Sequence, residues 1–299
     1  MDPHRRTFPA RDALTTAVRR WVAGTRVDAV EGLGHIPASG PVLVVSNHPS
    51  FFDHYLLETV LYAARGAPVH FPAKAENFRH PLRRAVRLGV GCIPLDGARP
   101  DRHALRAMVE VLHRGEVLCM YPEGTRWAGE GLLPFHDGAF YLAVRTGLPV
   151  VPAMTYGSDR ILPKGRVRPR RGTARLVFGP ALWPLPSRAS GGAFGGASGT
   201  VSGAARGPRI AELRARARVR MAELGERARA DHGRPDPHAA RHILDRAAEV
   251  AAATARADPA ARRRGAARRI AVLRTLARVT AARPVSLPAP SGTGPGSTN

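Results

Sequence analysis

Residues 41–53 read PVLVVSNHPSFFD, and this stretch decides the kind of fold that the chain adopts. An unbroken apolar run leads into Ser46, which is typical of a strand buried on both faces. Asn47 and His48 follow at once, and Asp53 lies where a helical pattern begins. Because α/β proteins place their ligands at the carboxyl ends of such strands, we expect His48 to lie at a binding site.

Similar apolar runs between turn residues predict further strands. They occupy residues 92–95, 117–121, 150–156 and 174–178. Helical patterns separate them, at residues 55–65, 80–88, 101–114 and 138–146. Strands that alternate with helices predict an α/β fold, in which helices flank a largely parallel sheet.

Composition and periodicity divide the chain into five predicted segments. They are an N-terminal amphipathic helix (1–26), the α/β domain (27–186), a Gly/Ser/Ala-rich linker (187–208), a basic helical extension (209–283) and a disordered tail (284–299). The N-terminal helix either packs on the domain or lies in a membrane interface with Trp21 as an anchor.

The formal charge is strongly positive, with 46 Lys and Arg against 23 Asp and Glu, a net +23. Such a surface attracts anionic partners, which include phospholipid headgroups, phosphorylated substrates and nucleic acid. The Arg-rich segment at 259–283 is interpreted first as binding an anionic membrane surface. A solvated or partner-packed face is the second interpretation. Nucleic acid is the least favoured partner, since zinc-finger spacing and an aromatic RNA-binding signature are both missing.

Several other classes of protein are disfavoured by the sequence. Cys92 and Cys119 are too few for a disulfide framework and fit no zinc pattern, which indicates a reducing context and no metal site. Residues 1–10 lack the apolar core of a signal peptide, and no run of 18 apolar residues predicts a transmembrane helix. We therefore expect a peripheral protein at the cytoplasmic face of the membrane.

The spacing of His48 and Asp53 suggests a catalytic pair. A tight turn would fold the carboxylate onto the imidazole, fix one tautomer and stabilise the imidazolium that forms when His48 takes a proton. Taken alone, the pair fits a capping Asp and a turn His equally well. Ser46 and Ser50 flank His48, but a serine hydrolase is disfavoured because the chain has no Gly-x-Ser-x-Gly elbow.

Three more polar blocks follow predicted strands or accompany them. Residues 120–126 read MYPEGTR, residues 91–99 read GCIPLDGAR, and residues 147–153 read GLPVVPA. In the first block, Glu123 and Arg126 lie at a strand end, where a guanidinium is suited to gripping a phosphate. Taken alone, this block is better explained by an ordinary Glu–Arg pair in a tight turn.

The order and spacing of these blocks resemble the PlsC-like glycerolipid acyltransferases, the lysophosphatidate acyltransferase family. The resemblance covers roughly residues 27–184 and includes 47–50 with Asp53, 73–76, 91–96, 122–126 and 149–152. Each block is short, and their occurrence together in this order is specific.

The resemblance implies a mechanism and an acceptor. His48 takes the proton of an acceptor hydroxyl, Asp53 orients His48, and the oxygen attacks a thioester of coenzyme A or acyl carrier protein without an acyl-enzyme. Lysophosphatidate would become phosphatidate in phospholipid biosynthesis, with no cofactor and no metal; another lysolipid or polar alcohol is the alternative acceptor. The implied substrate-binding residues are Asn47, Lys74, Arg99, Glu123, Gly124, Thr125 and Arg126.

The chain departs from the family pattern at three positions. Gly97 stands where a basic residue is common, and Arg99 is the predicted substitute for it. His136 stands in place of a Lys, and Tyr121 in place of a Phe. The alternatives outside enzymes are a basic membrane- or nucleic-acid-binding protein and a lipid-binding pseudoenzyme, and the second is disfavoured because His48 and Asp53 are both present.

Overall fold

A computed structural model describes residues 18–19, 21–80, 84, 87, 91–95, 102–185, 203–234, 236, 238–239, 241 and 243. Its strands are β1 (Val27–Glu31), β2 (Val42–Ser46), β3 (Val69–Lys74), β4 (Cys92–Leu95), β5 (Val117–Met120), β6 (Val150–Tyr156) and β7 (Ala174–Phe178). They form one sheet in the order β1-β7-β6-β2-β5-β3-β4. Among the pairings between the seven described strands, β6 with β7 is antiparallel and the others are parallel, so the predicted α/β fold with a largely parallel sheet is confirmed.

Helices cover both faces of this sheet. They are α1 (Asp53–Arg65), α2 (Arg102–His113), α3 (Gly138–Thr146), the single turn α4 (Ser158–Ile161) and the long α5 (Gly203–Ala230). Two short 3-10 turns add Leu33–His35 and Ala75–Phe78. Helix α1 begins directly after the turn at His48, which places the base and the start of the helix within one loop.

The unbroken apolar run of β2 has a simple structural reason. Val42 and Val44 belong to the core under α1, whereas Leu43 and Val45 belong to the core under α3 and α5. Side chains alternate between the faces of a strand, so a strand covered on both sides needs apolar residues at every position.

Two strands were missing from the prediction. β1 contains Asp28, and β3 contains His70 and Pro72, which interrupt the apolar pattern. β1 lies at one edge of the sheet, and among the described strands it pairs only with β7. Interruptions in the apolar pattern are tolerated more easily in an edge strand.

Helix α5 begins inside the segment that was predicted to be a linker. Its first residue is Gly203, whereas the sequence predicted a helix from residue 209. Ala and Arg are strong helix formers, and they extend the helix backwards despite the Gly-rich context.

Helix α5 is also a layer of the domain and not an appendage to it. Its buried residues recur every three or four positions and form one helical face: Leu213, Ala217, Met221, Leu224 and Ala228. This face packs on β6, β7 and α3. The domain core therefore extends beyond the predicted boundary at residue 186, while the segments 259–283 and 284–299 lie outside the described residues.

The described end of the predicted N-terminal helix contacts the domain. Residues 18–19 and 21–25 are helical, and Val22 is fully buried. Arg19 forms an ion pair with Glu58 of α1, and Trp21 meets the ring of Phe52 edge-on. Among the described residues, no helix has the length and apolarity needed to cross a bilayer.

Candidate active site

A cavity of about 970 Å³ opens where the carboxyl ends of β2, β5, β3 and β4 meet. Its polar lining includes His48, His54, Lys74, Asn77, Arg87, Thr125, Arg126, His136 and Asp137. Its apolar lining includes Phe51, Leu95, Leu105, Met108, Met120, Ala139 and Ile210. Parallel strands bring their polar ends to one edge of the sheet, and the cavity lies at that edge as predicted for α/β proteins.

The imidazole of His48 and the carboxylate of Asp53 are in contact. Nδ1 of His48 lies 2.9 Å from Oδ2 of Asp53. A carboxylate only accepts hydrogen bonds, so Nδ1 carries the proton of the neutral imidazole and donates it to Asp53. This tautomer leaves Nε2 with its lone pair, which is the form that a general base requires.

Asp53 is held from several directions. Its Oδ2 also accepts the backbone N–H of Ser50 at 2.9 Å, and its Oδ1 lies 3.2 Å from the hydroxyl of Thr155. Asp53 is the first residue of α1, where the helix dipole favours negative charge. The carboxylate is completely buried, so its orientation is fixed before any substrate binds.

Burial displaces the pKa of both members of the pair. It raises the pKa of Asp53, and it lowers the pKa of His48, to which the positive charge of Arg126 contributes further. A depressed imidazole pKa keeps His48 unprotonated in the resting protein. The arrangement is therefore a neutral base with a fixed tautomer.

Two aromatic side chains hold the ring of His48. Tyr121 stacks on its face with ring centroids 3.9 Å apart, and His54 meets it edge-on at 5.1 Å. Nδ1 of His54 donates to the carbonyl of Phe51 at 3.2 Å, and burial lowers the pKa of His54 to about 3. His54 is thus a second neutral imidazole beside the first. Sequence reasoning missed it, and its position next to Asp53 was the only local signal.

The serine residues near His48 are used structurally. Ser50 Oγ donates to the carbonyl of Leu162 at 2.7 Å and accepts the backbone N–H of Phe52 at 3.0 Å. Ser46 is buried, and its hydroxyl faces the amide oxygen of Asn47. Neither hydroxyl is hydrogen-bonded to His48, so the geometry gives no support to a serine nucleophile.

Four of the predicted substrate-binding residues line the cavity: Lys74, Gly124, Thr125 and Arg126. Gly124 has φ of 65°, and a Cβ there would lie 2.8 Å from the ring of His136. Both the backbone and the space therefore require glycine at this position. Arg99 lies outside the described residues.

The other two predicted substrate-binding residues, Asn47 and Glu123, are buried and are not among the residues that line this cavity, and their role in binding substrate stays a prediction. The Asn47 side chain donates to the carbonyl of Thr155 at 2.9 Å and accepts its N–H at 2.7 Å, which ties the end of β2 to β6. Glu123 accepts the backbone N–H of Leu133 at 2.9 Å and that of His48 at 3.4 Å. Their polar atoms satisfy backbone groups that would otherwise be buried without partners, so both residues position the site.

Comparison with known proteins agrees with this geometry. Residues 29–156 match the family model described as Acyltransferase, and the match contains the strand, the His48–Asp53 turn and the block at 122–126. Over these residues the chain is similar to the acyltransferase family.

Curated relatives carry matching names. The chain is 34% identical over 139 residues to the chloroplastic 1-acyl-sn-glycerol-3-phosphate acyltransferase BAT2 of Brassica napus, which covers 46% of this chain and 39% of that protein. It is 37% identical over 142 residues to the human 1-acyl-sn-glycerol-3-phosphate acyltransferase alpha. That match covers 44% of this chain and 46% of the human protein. The chain thus spans less than half the length of these two relatives.

A solved structure was also matched. It is that of the 1-acyl-sn-glycerophosphate acyltransferase PlsC from Thermotoga maritima, which is 28% identical to this chain and superposes with a TM-score of 0.46. The match covers 59% of this chain and 71% of that one.

Part of the cavity comes from outside the family match. Ile210 of α5 lines it beside Leu105 and Met108 of α2. No local pattern predicts this contact, because it depends on how α5 folds back over the sheet. Within the described residues, no cluster of three or more His, Cys, Asp or Glu side chains is arranged to hold a metal ion.

Proposed function

We propose that this protein transfers a fatty acyl group from a thioester to the free hydroxyl of lysophosphatidate and forms phosphatidate. The observation that carries the proposal is the pair at the cavity. Asp53 accepts Nδ1–H of His48 at 2.9 Å, which leaves Nε2 of the same ring as the proton acceptor.

The steps follow from this geometry. Nε2 of His48 takes the proton of the acceptor hydroxyl, and the buried carboxylate of Asp53 stabilises the imidazolium that forms. The oxygen attacks the thioester carbonyl, a tetrahedral intermediate forms, and its collapse breaks the carbon–sulfur bond. The thiolate then takes the proton from Nε2, so His48 returns to its neutral form and the product is an ester with a free thiol.

The cavity suits an amphiphilic acceptor. Lys74 and Arg126 supply positive charge for a phosphate, and a guanidinium matches phosphate with two parallel hydrogen bonds. Leu105, Met108 and Ile210 supply apolar surface on another part of the lining, where alkyl chains are favoured. The names of the curated relatives support the same acceptor.

A different lysolipid or polar alcohol is the second candidate acceptor. The observation in its favour is Gly97, which stands where the family commonly has a basic residue. The donor is a thioester of coenzyme A or of acyl carrier protein, and both fit the same chemistry.

We further propose that the protein works on the cytoplasmic face of an anionic membrane, as a peripheral protein. Helix α5 carries eight Arg against three Glu. Trp183 and Leu185 are 58% and 48% exposed, and their backbone carbonyls accept hydrogen bonds from Arg216 and Arg209 of that helix. Exposed Trp and Leu beside arginines favour a surface with phosphate headgroups and an apolar interior. Co-sedimentation with anionic vesicles and with DNA at matched salt tests this, and binding to DNA alone contradicts it.

Thiol release with a panel of acceptors tests the reaction. Lysophosphatidate should release thiol fastest, ahead of other lysolipids and of a monoacylglycerol. His48→Ala should abolish transfer while the circular dichroism spectrum is retained. His113→Ala, at the exposed end of α2, is the matched control and should keep wild-type turnover. Turnover by the His48→Ala variant near the wild-type rate contradicts the mechanism.

A further inference from the structure

Arg87 lines the same cavity as Lys74 and Arg126, although no sequence pattern singled it out. It lies between β3 and β4, where Arg84 and Arg87 are the described helical residues, and it follows Arg84 by three positions. Arg84 is exposed and does not line the cavity.

Contacts with aromatic rings place the Arg87 guanidinium near the base. Its central carbon lies 5.1 Å from the centroid of the Phe51 ring. The ring of Phe51 lies 4.8 Å from that of His54, which in turn lies 5.1 Å from that of His48. Two rings, those of Phe51 and His54, therefore connect Arg87 to the imidazole of His48 through three successive contacts. A guanidinium over an aromatic face keeps its full charge and its hydrogen-bond donors at the ring edge.

Among the described residues, most of the charged side chains that line the cavity are basic. Its described lining holds three cations, Lys74, Arg87 and Arg126, and one carboxylate, Asp137. That carboxylate is engaged by Arg214 of α5 at 2.5 Å. The surplus of positive charge in a concave site favours an anionic ligand.

We propose that Arg87 binds a phosphate group of the substrates and provides the cation that this chain lacks at Gly97. This inference rests on the proposed function, since it assigns a ligand group within the same cavity. A phosphate bound at Arg87 would hold the substrate beside His48, whose Nε2 takes the proton. The phosphate belongs either to the lysophosphatidate headgroup or to the thioester donor, and both present the same chemistry to a guanidinium.

Binding of inorganic phosphate gives a test that does not depend on turnover. The full-length protein, Arg87→Gln and Arg84→Gln are titrated calorimetrically at low ionic strength. Arg87→Gln should weaken phosphate binding about 10- to 100-fold, the loss expected for hydrogen bonds between charged groups. Arg84→Gln should bind as the wild type does. Arg87→Lys should bind with intermediate affinity, because it keeps the charge and loses the planar fork.

Kinetics then identify the source of the phosphate. If the headgroup is bound, Arg87→Gln raises the KM for lysophosphatidate about tenfold or more, and the KM for the donor stays unchanged. If Arg87 binds the phosphate of the donor, Arg87→Gln raises the KM for the donor. This increase disappears when the donor is replaced by a pantetheine thioester without phosphate. Either pattern supports the proposal.

The proposal is overturned if Arg87→Gln has the same phosphate affinity and the same two KM values as Arg84→Gln. Thermal unfolding of each variant checks that the fold is intact, and Arg87→Lys provides the second test if Arg87→Gln unfolds. Failure of the proposed function would look different, since wild-type protein would release no thiol with any acceptor while the phosphate titrations still distinguished Arg87→Gln from Arg84→Gln.

Discussion

The imidazole of His48 lies flat against the ring of Tyr121, with centroids 3.9 Å apart and an angle of 10° between the planes. With Asp53 on Nδ1 and His54 against an edge, this stacking fixes the direction in which Nε2 points. The base is thus held by packing as well as by its carboxylate partner.

Tyr121→Ala should lower kcat about tenfold, because the loss of a stacked ring releases His48 at a cost of roughly 1 kcal/mol. Tyr121→Phe keeps the stack and should keep kcat within about threefold. The Tyr121 hydroxyl is buried and has no hydrogen-bond partner among the described residues. The free energy of unfolding of the Phe variant should therefore be about 1 kcal/mol higher than that of the wild type. Steady-state kinetics and urea unfolding measure both effects. Equal kcat for the Ala and Phe variants contradicts a role for the stack.

Asp53→Asn should lower kcat by about a thousandfold or more. An amide nitrogen donates where the carboxylate accepted, which favours the tautomer with the proton on Nε2 and removes the base. Asp137→Asn is the matched control, because Asp137 also lines the cavity but is exposed and paired with Arg214. Single-turnover rates measure the chemical step. A similar loss in both variants would point to a general effect of charge on the cavity.

The acid limb of the pH–rate profile should depend on Arg126. Burial first, and then the positive charge of Arg126, lower the pKa of His48. Arg126→Gln removes that charge, so the imidazole pKa rises and the acid limb of kcat/KM moves to higher pH. Arg126→Lys keeps the charge and should leave the limb in place. The limb reports the His48–Asp53 pair as a unit. An unmoved limb in Arg126→Gln would show that the charge does not act on the base.

His54 should make the fold sensitive to acid. Burial lowers its pKa from the ordinary 6.5 to about 3. Between these values the unfolded chain binds a proton at His54 and the folded protein does not, so the free energy of unfolding falls as pH falls below 6.5. The slope is about 1.4 kcal/mol per pH unit for one such group. In urea unfolding, His54→Phe should lose about 2 kcal/mol less between pH 7 and pH 5 than the wild type. Equal losses would contradict the buried neutral imidazole.

Leu213→Ala should lower the free energy of unfolding by about 2–5 kcal/mol, because it leaves a cavity between α5 and the sheet. Val219→Ala on the exposed side of the same helix should change it by less than about 0.5 kcal/mol. Chemical unfolding of both variants compares them directly. A small effect at Leu213 would mean that α5 is not part of the cooperative core.

The sequence predicted those parts of the site whose geometry is local. His48 and Asp53 lie in one turn between a buried strand and a helix, with four residues between them. Their contact therefore needs no distant residue. Gly124 to Arg126, which line the cavity, were predicted from the family resemblance of the block that comes shortly after β5. The hydrogen bonds of Asn47 and Glu123 were not predicted, because their partners, Thr155 and Leu133, are remote in the sequence or lie in a loop without a pattern.

By itself, then, the sequence determined the α/β class, the central strand and the turn that brings His48 to Asp53. Apolar periodicity and turn chemistry act over a few residues, and the order of the blocks sets the order of the strands in the chain. Only the tertiary structure decided which distant side chains share the cavity. It placed His54 against His48, put Arg87 in the cavity lining and folded α5 into the core. Such contacts depend on the packing of whole elements across the sheet, and no short stretch of sequence encodes them.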